Sequence, residues 1–376
     1  VEGRSRLLRA THRSFHDPVF AETEIRAAAE ICRENAGPFW SVMADAHIAQ
    51  LSLFRMLFRD ADDLIAKVET AASELGNHQL AVESKARRVA IAEGLGDNDG
   101  AIAALSDLDA VIDGISTREF RGYAVASVLW VQLRRGDAEG VAARAAEAIA
   151  AYVEDEDLQF VPLFVAPRAA ALVAMGCAEQ ACTEMTPVWE HPEVQASKVY
   201  SIILTPPFAA SHWMSGRRDR ARQIATDALA VATQLGSPPM HAELEAMLAA
   251  FDLDDGLPAA AEPRLHRAVE TLAQHSQRPR LCDALEELAH VELDFGRPAA
   301  AAVLLGAVSR QRAAEGVVLR PWRQAVYETI VRSARDALGE EEADRRWSAG
   351  GELDLGEAVA FARRGRGERS RPTFGW

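Results

Sequence analysis

The residues best suited to holding a soft metal ion lie close together: Cys177 and Cys182, flanked by Met175 and Met185. Thiolate and thioether ligands would favour such an ion. No histidine lies in that stretch and no C-x-x-C occurs, so these side chains read as packed thiols on and just after a helix turn. A second candidate is the run Glu154-Asp155-Glu156-Asp157, four carboxylates that could bind a cation. It lacks the alternating ligands and turn glycine of a calcium loop, so a solvated loop between helices is the expectation. The chain has no G-x-x-x-x-G-K-[ST], H-E-x-x-H or G-x-S-x-G motif and no dinucleotide-binding glycine run. The expectation is a non-enzymatic chain with no catalytic residues, no metal site and no cofactor of its own.

Helices must position whatever binds here. Ala, Leu, Glu and Arg dominate the 376 residues and aromatics make up only 6%, a composition of good helix formers. A hydrophobic fraction of 49% is ample for a core. The formal net charge of −15 argues against a surface that coats nucleic acid or an anionic membrane. Arg363, Arg364, Arg366, Arg369 and Arg371, near the end of the chain, are the local exception. No apolar run reaches the ~18 residues that a membrane span needs. Four scattered cysteines suit buried thiols in a reducing cytoplasm better than a disulfide framework.

A repeat organises the chain. Gly96, Gly136, Gly176, Gly216, Gly256 and Gly296 follow one another at 40-residue steps. Seven residues before each stands Val89, Leu129, Ala169, Ala209, Ala249 or Ala289, and five after it Ala101, Val141, Ala181, Ala221, Ala261 or Ala301. Each glycine suits the left-handed position that ends a helix, and small neighbours let two antiparallel helices approach. One such hairpin cannot bury its apolar face alone, so the hairpins are expected to stack. The fold class predicted is all-α, a right-handed superhelical solenoid of antiparallel hairpins with about 40 residues per repeat. It resembles the tetratricopeptide repeat, although the unit is longer than 34 residues and the closing proline is mostly missing. The extra length is expected in loops such as 152–160 and 235–240, with an earlier, degenerate unit turning at Arg59-Asp60. Residues 1–316 form the array, 317–362 the capping helices and 363–376 a basic, flexible linker.

Prolines break the helical rule in mid-array. Pro162, Pro167, Pro206 and Pro207 fall in first helices of the hairpins, among Phe160, Phe164, Tyr200, Phe208 and Trp213. In tetratricopeptide arrays the first helix of each pair lines the concave surface. That resemblance implies an inner wall with Tyr123, Trp130, Leu163, Phe164, Tyr200, Ile203 and Trp213, and with Glu83, Glu243, Asp283 and His290 towards the ends. Trp130 and Trp213 are equally readable as core between repeats.

The last eighty residues carry a further likeness. Leu305-Gly306-Ala307, Tyr327, Leu338-Gly339, Trp347, Gly350 and then Leu353, Leu355 and Glu357-Ala358-Val359 occur in this order. The series resembles the end of the tetratricopeptide region in large ATP-dependent regulators of the LuxR type, signal-transducing NTPases with numerous domains. Some actinobacterial members also carry a cyclase-like domain. In that family a basic linker leads into a helix-turn-helix domain, and Arg371–Trp376 (RPTFGW) is similar to it. The resemblance implies a sensor region that binds an effector or a protein partner in its groove. It also implies NTPase-dependent homo-oligomerisation, and DNA contact only through a domain beyond Trp376. The rival expectation is a peptide- or protein-docking scaffold with no small-molecule effector, or a non-catalytic segment of a cyclase-containing protein.

Overall fold

In a computed structural model the described residues are 2–14, 16–35, 38–112, 118–154 and 158–369. They are helical nearly throughout. The helices are α1 (Glu2–His12), α2 (Pro18–Asn35), α3 (Pro38–Phe54), α4 (Phe58–Glu74), α5 (His78–Leu95), α6 (Asn98–Ile112), α7 (Arg118–Arg134), α8 (Ala138–Glu154), α9 (Val161–Ala174) and α10 (Ala178–Trp189). There follow α11 (Pro192–Ala196), α12 (Lys198–Met214), α13 (Arg218–Gln234), α14 (Pro238–Asp254), α15 (Pro258–Gln274), α16 (Arg278–Asp294), α17 (Pro298–Glu315), α18 (Gln324–Leu338), α19 (Glu340–Gly351) and α20 (Leu355–Arg369). Short 3-10 turns at Leu158–Phe160 and Pro321–Arg323 precede α9 and α18. Successive helices pair and pack on the next pair, as in α3–α4, α5–α6, α8–α9 and α9–α12, which makes the fold an all-α helical solenoid.

The repeat is finer than its glycines suggest. Among the described residues left-handed backbone recurs at 20-residue steps from Met56 through Gly76 to Gly96, at 40-residue steps through Gly136 and Gly176 to Gly216, and again at 20-residue steps through Gly236, Gly256, Ser276 and Gly296 to Gly316. Each closes a helix in the same way: the Gly96 amide donates to the Glu93 carbonyl (3.1 Å) and the Asp97 amide to that of Ala92 (2.8 Å), which satisfies carbonyls at the helix end. The helices between are mostly 17 residues long. The length beyond 34 residues therefore lies in the helices, and the expectation that loops would absorb it is corrected. Residues 235–237 are an ordinary short turn and 238–240 already begin α14, while Asp155–Asp157 lie outside the described residues. The turn expected at Arg59-Asp60 also moves: the chain reverses at Met56 (φ 57°), and Asp60 sits in the first turn of α4, where a carboxylate favours the helix dipole.

The small residues flanking the turn glycines form the contact between paired helices. Val89, Leu129, Ala169, Ala209, Ala249 and Ala289, with Ala101, Val141, Ala181, Ala221, Ala261 and Ala301, are all 2% exposed or less. Alanine at these crossings lets the backbones approach, and most of the core is consequently aliphatic.

The chain divides into two compact units, Val1–Met240 and His241–Trp376, and the division falls within α14. In the first unit, stacking of neighbours is supplemented by contacts across about 180 positions of sequence. The Arg55 guanidinium donates to the Gly236 carbonyl (3.0 Å), and the Ser237 hydroxyl donates to the Arg55 carbonyl (2.7 Å). Arg55 also pairs with Glu22. Val199 of α12 is buried in the cluster built by Leu7, Ala10, Ile25, Ala28, Leu51 and Phe54, and Tyr123 and Ile203 pack against that cluster. Helices α1 to α3 thus lie against side chains of α7 and α12.

The second unit has one continuous core over α14 to α20. It ends on a tight crossing of α17 and α19. A Cβ on Gly306 would stand 2.1 Å from the Trp347 carbonyl oxygen, and one on Gly350 would stand 2.0 Å from that of Val303. These glycines let two backbones touch. Trp347, Tyr327, Leu353 and Leu355 pack against the core, and Ala358 and Val359 are buried within it.

Two substitutions check this account by urea unfolding. Ser276 (φ 56°) does a glycine's work, so Ser276→Gly is expected to stabilise the chain by about 1 kcal/mol. Gly306→Ala forces α17 and α19 apart and is expected to destabilise by about 2–3 kcal/mol.

Candidate functional site

The residues expected on an inner wall separate into two sets. In the first unit, Tyr123 is half-buried, with its ring 5.6 Å edge-on from Phe160 and 6.5 Å from Phe54. Phe164 is buried and stacked 5.2 Å from Tyr152, which also lies 5.5 Å from Phe160. Leu163 and Tyr200 are buried, whereas Ile203 and Trp130 are half-buried. Trp213 is buried beneath Arg218 and Arg222, whose guanidinium carbons stand 4.9 and 5.4 Å from its ring centre. The structure therefore joins Tyr123 and Phe164 through one aromatic chain and keeps Trp213 in a cation-aromatic stack of its own.

The prolines act differently according to position. Pro162 sits in the first turn of α9, where a missing amide matters little, while Pro167, Pro206 and Pro207 lie inside helices that continue through them. They remove the amide donors that would otherwise meet the carbonyls of Leu163, Ile202 and Ile203. The four cysteines are free; Cys32, Cys182 and Cys282 are buried and Cys177 is half-buried. Cys182 Sγ donates to Ser211 Oγ at 3.2 Å, a core contact.

The second unit holds Glu243 and His290. Glu243 is paired with Arg280 at 2.7 Å. Asp283 and His290, both expected towards the end of the wall, share one face of α16 with Glu286 and Glu287, which sequence reasoning missed; the four fall at i, i+3, i+4 and i+7. Such charges read as a solvated face, yet Glu286 and Glu287 are each only 2% exposed. Arg312 of α17 holds Glu286 and, at 2.8 Å, Asp283. Arg320 reaches Glu287 at 2.8 Å, and Arg323 clamps Glu287 (2.6 Å) and both oxygens of Asp254 (2.8 and 2.9 Å). The signal in the sequence was the set of arginines following α16 in an inward register, visible only once that register is known.

This network sets its own protonation. Burial pushes the Glu286 carboxyl above its ordinary range, more than Arg312 and Arg320 pull it down. Burial acts on Glu287 as well, but Arg323 and Arg320 outweigh it and hold that carboxyl below 4.5. Burial opposes the charge on Arg312 and Arg323, and their acidic partners more than restore it.

Beside the network opens a cleft of about 420 Å³ between α16 and α18, with Asp254 at its edge. It exists because the usual short turn is replaced after Gly316 by an extended stretch to Arg320, which shifts α18 out of the repeat's phase. Leu293, Val326 and Ile330 supply apolar lining, and Asp254, His290 and Asp294 the polar side. His290 Nε2 stands 3.8 Å from Asp294, and His290 Nδ1 is buried without a hydrogen-bond partner.

Fold and site together define a helical-hairpin repeat protein whose second unit holds a buried charge network and a cleft. No family model matches the chain. A stretch of 121 residues, 32% of the chain, is 36% identical to proteins each named "Putative HTH-type transcriptional regulator" from Mycobacterium tuberculosis strains H37Rv and CDC 1551 and from Mycobacterium bovis. The match spans 14% of the length of each of these relatives.

Glu287→Gln is expected to destabilise by about 3 kcal/mol at neutral pH, because Arg323 keeps only part of its buried partnership. The folded pKa of Glu287 is depressed, so its contribution is fully present above 4.5 and is lost as pH falls through the folded value. Urea unfolding across pH should show the deficit of the variant shrinking below 4.5.

Proposed function

We propose that this chain is the non-enzymatic sensing and interaction segment of a LuxR-type transcriptional regulator. It receives an effector or protein partner on its helical repeats and passes the bound state to NTPase and helix-turn-helix domains carried elsewhere in the polypeptide, with homo-oligomerisation as the output. The observation that carries the reading is the 36% identity over 121 residues to proteins named as HTH-type transcriptional regulators. The order of Leu305-Gly306-Ala307, Trp347, Gly350 and Glu357-Ala358-Val359 supports it. Rods joined by short turns suit such a role, because a ligand that prefers one arrangement of the stack shifts the population towards it. The segment works in the cytoplasm, uses no catalytic residues or cofactor, and meets DNA only through the separate domain. None of the described helices is long and apolar enough to cross a membrane.

The purified chain is expected to hydrolyse ATP no faster than buffer and to retain no DNA in a sequence-dependent way. Sustained ATP turnover by the chain would sink the proposal. In a thermal-shift screen, a metabolite that stabilises by more than about 1 kcal/mol supports an effector sensor, whereas response only to peptides supports a docking scaffold.

A further inference from the structure

We infer that the cleft between α16 and α18 binds a small organic monocation, an amine whose ammonium meets Asp294 and Asp254 and whose apolar body lies on Leu293, Val326 and Ile330. The volume of about 420 Å³ is that of a small-molecule site rather than a packing void. Its lining contains no lysine or arginine, which disfavours an anion. The two carboxylates differ in their surroundings: Asp254 is already met by Arg323, while His290 stands 3.8 Å from Asp294, beyond hydrogen-bond reach. Asp294 is exposed at the mouth of the cleft, where an incoming ammonium can reach it. His290 Nδ1 adds a buried polar atom that lacks a partner at the same wall.

A metal ion fits less well. Among the described residues no group of three or more His, Cys, Asp or Glu side chains is placed to share one. The apolar half of the cleft would also be idle around a hydrated ion, whereas it shelters the carbon skeleton of an amine. Asp254 is shared between the cleft and the Arg323 clamp, so an ammonium there competes for the contact that anchors the start of α18. Occupancy is thereby linked to the position of the cap.

This inference names a ligand class for the sensing role proposed above, and the two fail separately: ATP turnover would remove the role and leave the site, while absence of amine binding would remove the site and leave the role. The test is isothermal titration of the whole chain with phenethylamine as probe and 2-phenylethanol as its neutral counterpart. Saturable one-to-one binding of the amine, at least tenfold tighter than the alcohol, is expected. Asp294→Asn should weaken the amine about tenfold. Ala325→Trp, at an exposed position of α18 that lines the cleft, should abolish binding while circular dichroism stays unchanged. No saturation by the amine, equal binding of the alcohol, or an unchanged affinity in Asp294→Asn overturns the proposal.

Discussion

A helix hairpin with one apolar side has no way to cover that side by itself, and this constraint governs every level of the structure. Each hairpin must find another, at a spacing that alanine makes short. In the second unit α19 covers α17 by laying its backbone on it at Gly306 and Gly350. In the first, helices α1 to α3 also meet α7 and α12, so burial there extends beyond sequence neighbours.

Part of this was legible in the sequence. The 40-residue glycine series and its flanking small residues located the hairpins, because a left-handed turn and a close crossing both demand particular residue types. The intervening turns were only partly legible: Gly76, Gly236 and Gly316 mark some of them, but Met56 and Ser276 adopt the same conformation and nothing in their identity announces it. The surroundings of Tyr123 and Ile203 escaped for a different reason. What packs on them comes from far away in sequence, and such contacts leave no local periodicity.

The second unit sets two kinds of residue side by side. Gly306, Trp347 and Gly350 are explained by the structure as a contact between backbones. The acids of α16 gave no comparable signal, since Asp-x-x-Glu-Glu in a helix is ordinary on a surface. Only burial turns them into a network, in which Glu286 and Glu287 respond oppositely to nearly the same surroundings. The sites weighed from sequence also lie in separate units: the aromatic residues from Tyr123 to Trp213 in one, Glu243 and His290 in the other.

The clasp between Arg55 and Gly236-Ser237 bears on how the chain is made. A solenoid held only by neighbours can settle hairpin by hairpin as it leaves the ribosome. Arg55 and Gly236 are 181 residues apart, which at ordinary rates of synthesis is a delay of roughly 10–40 seconds. Throughout that interval the apolar faces of the earliest helices must wait for α12 to emerge. The newborn protein is then at its most adhesive, and it is the stage at which a chaperone has the most surface to hold.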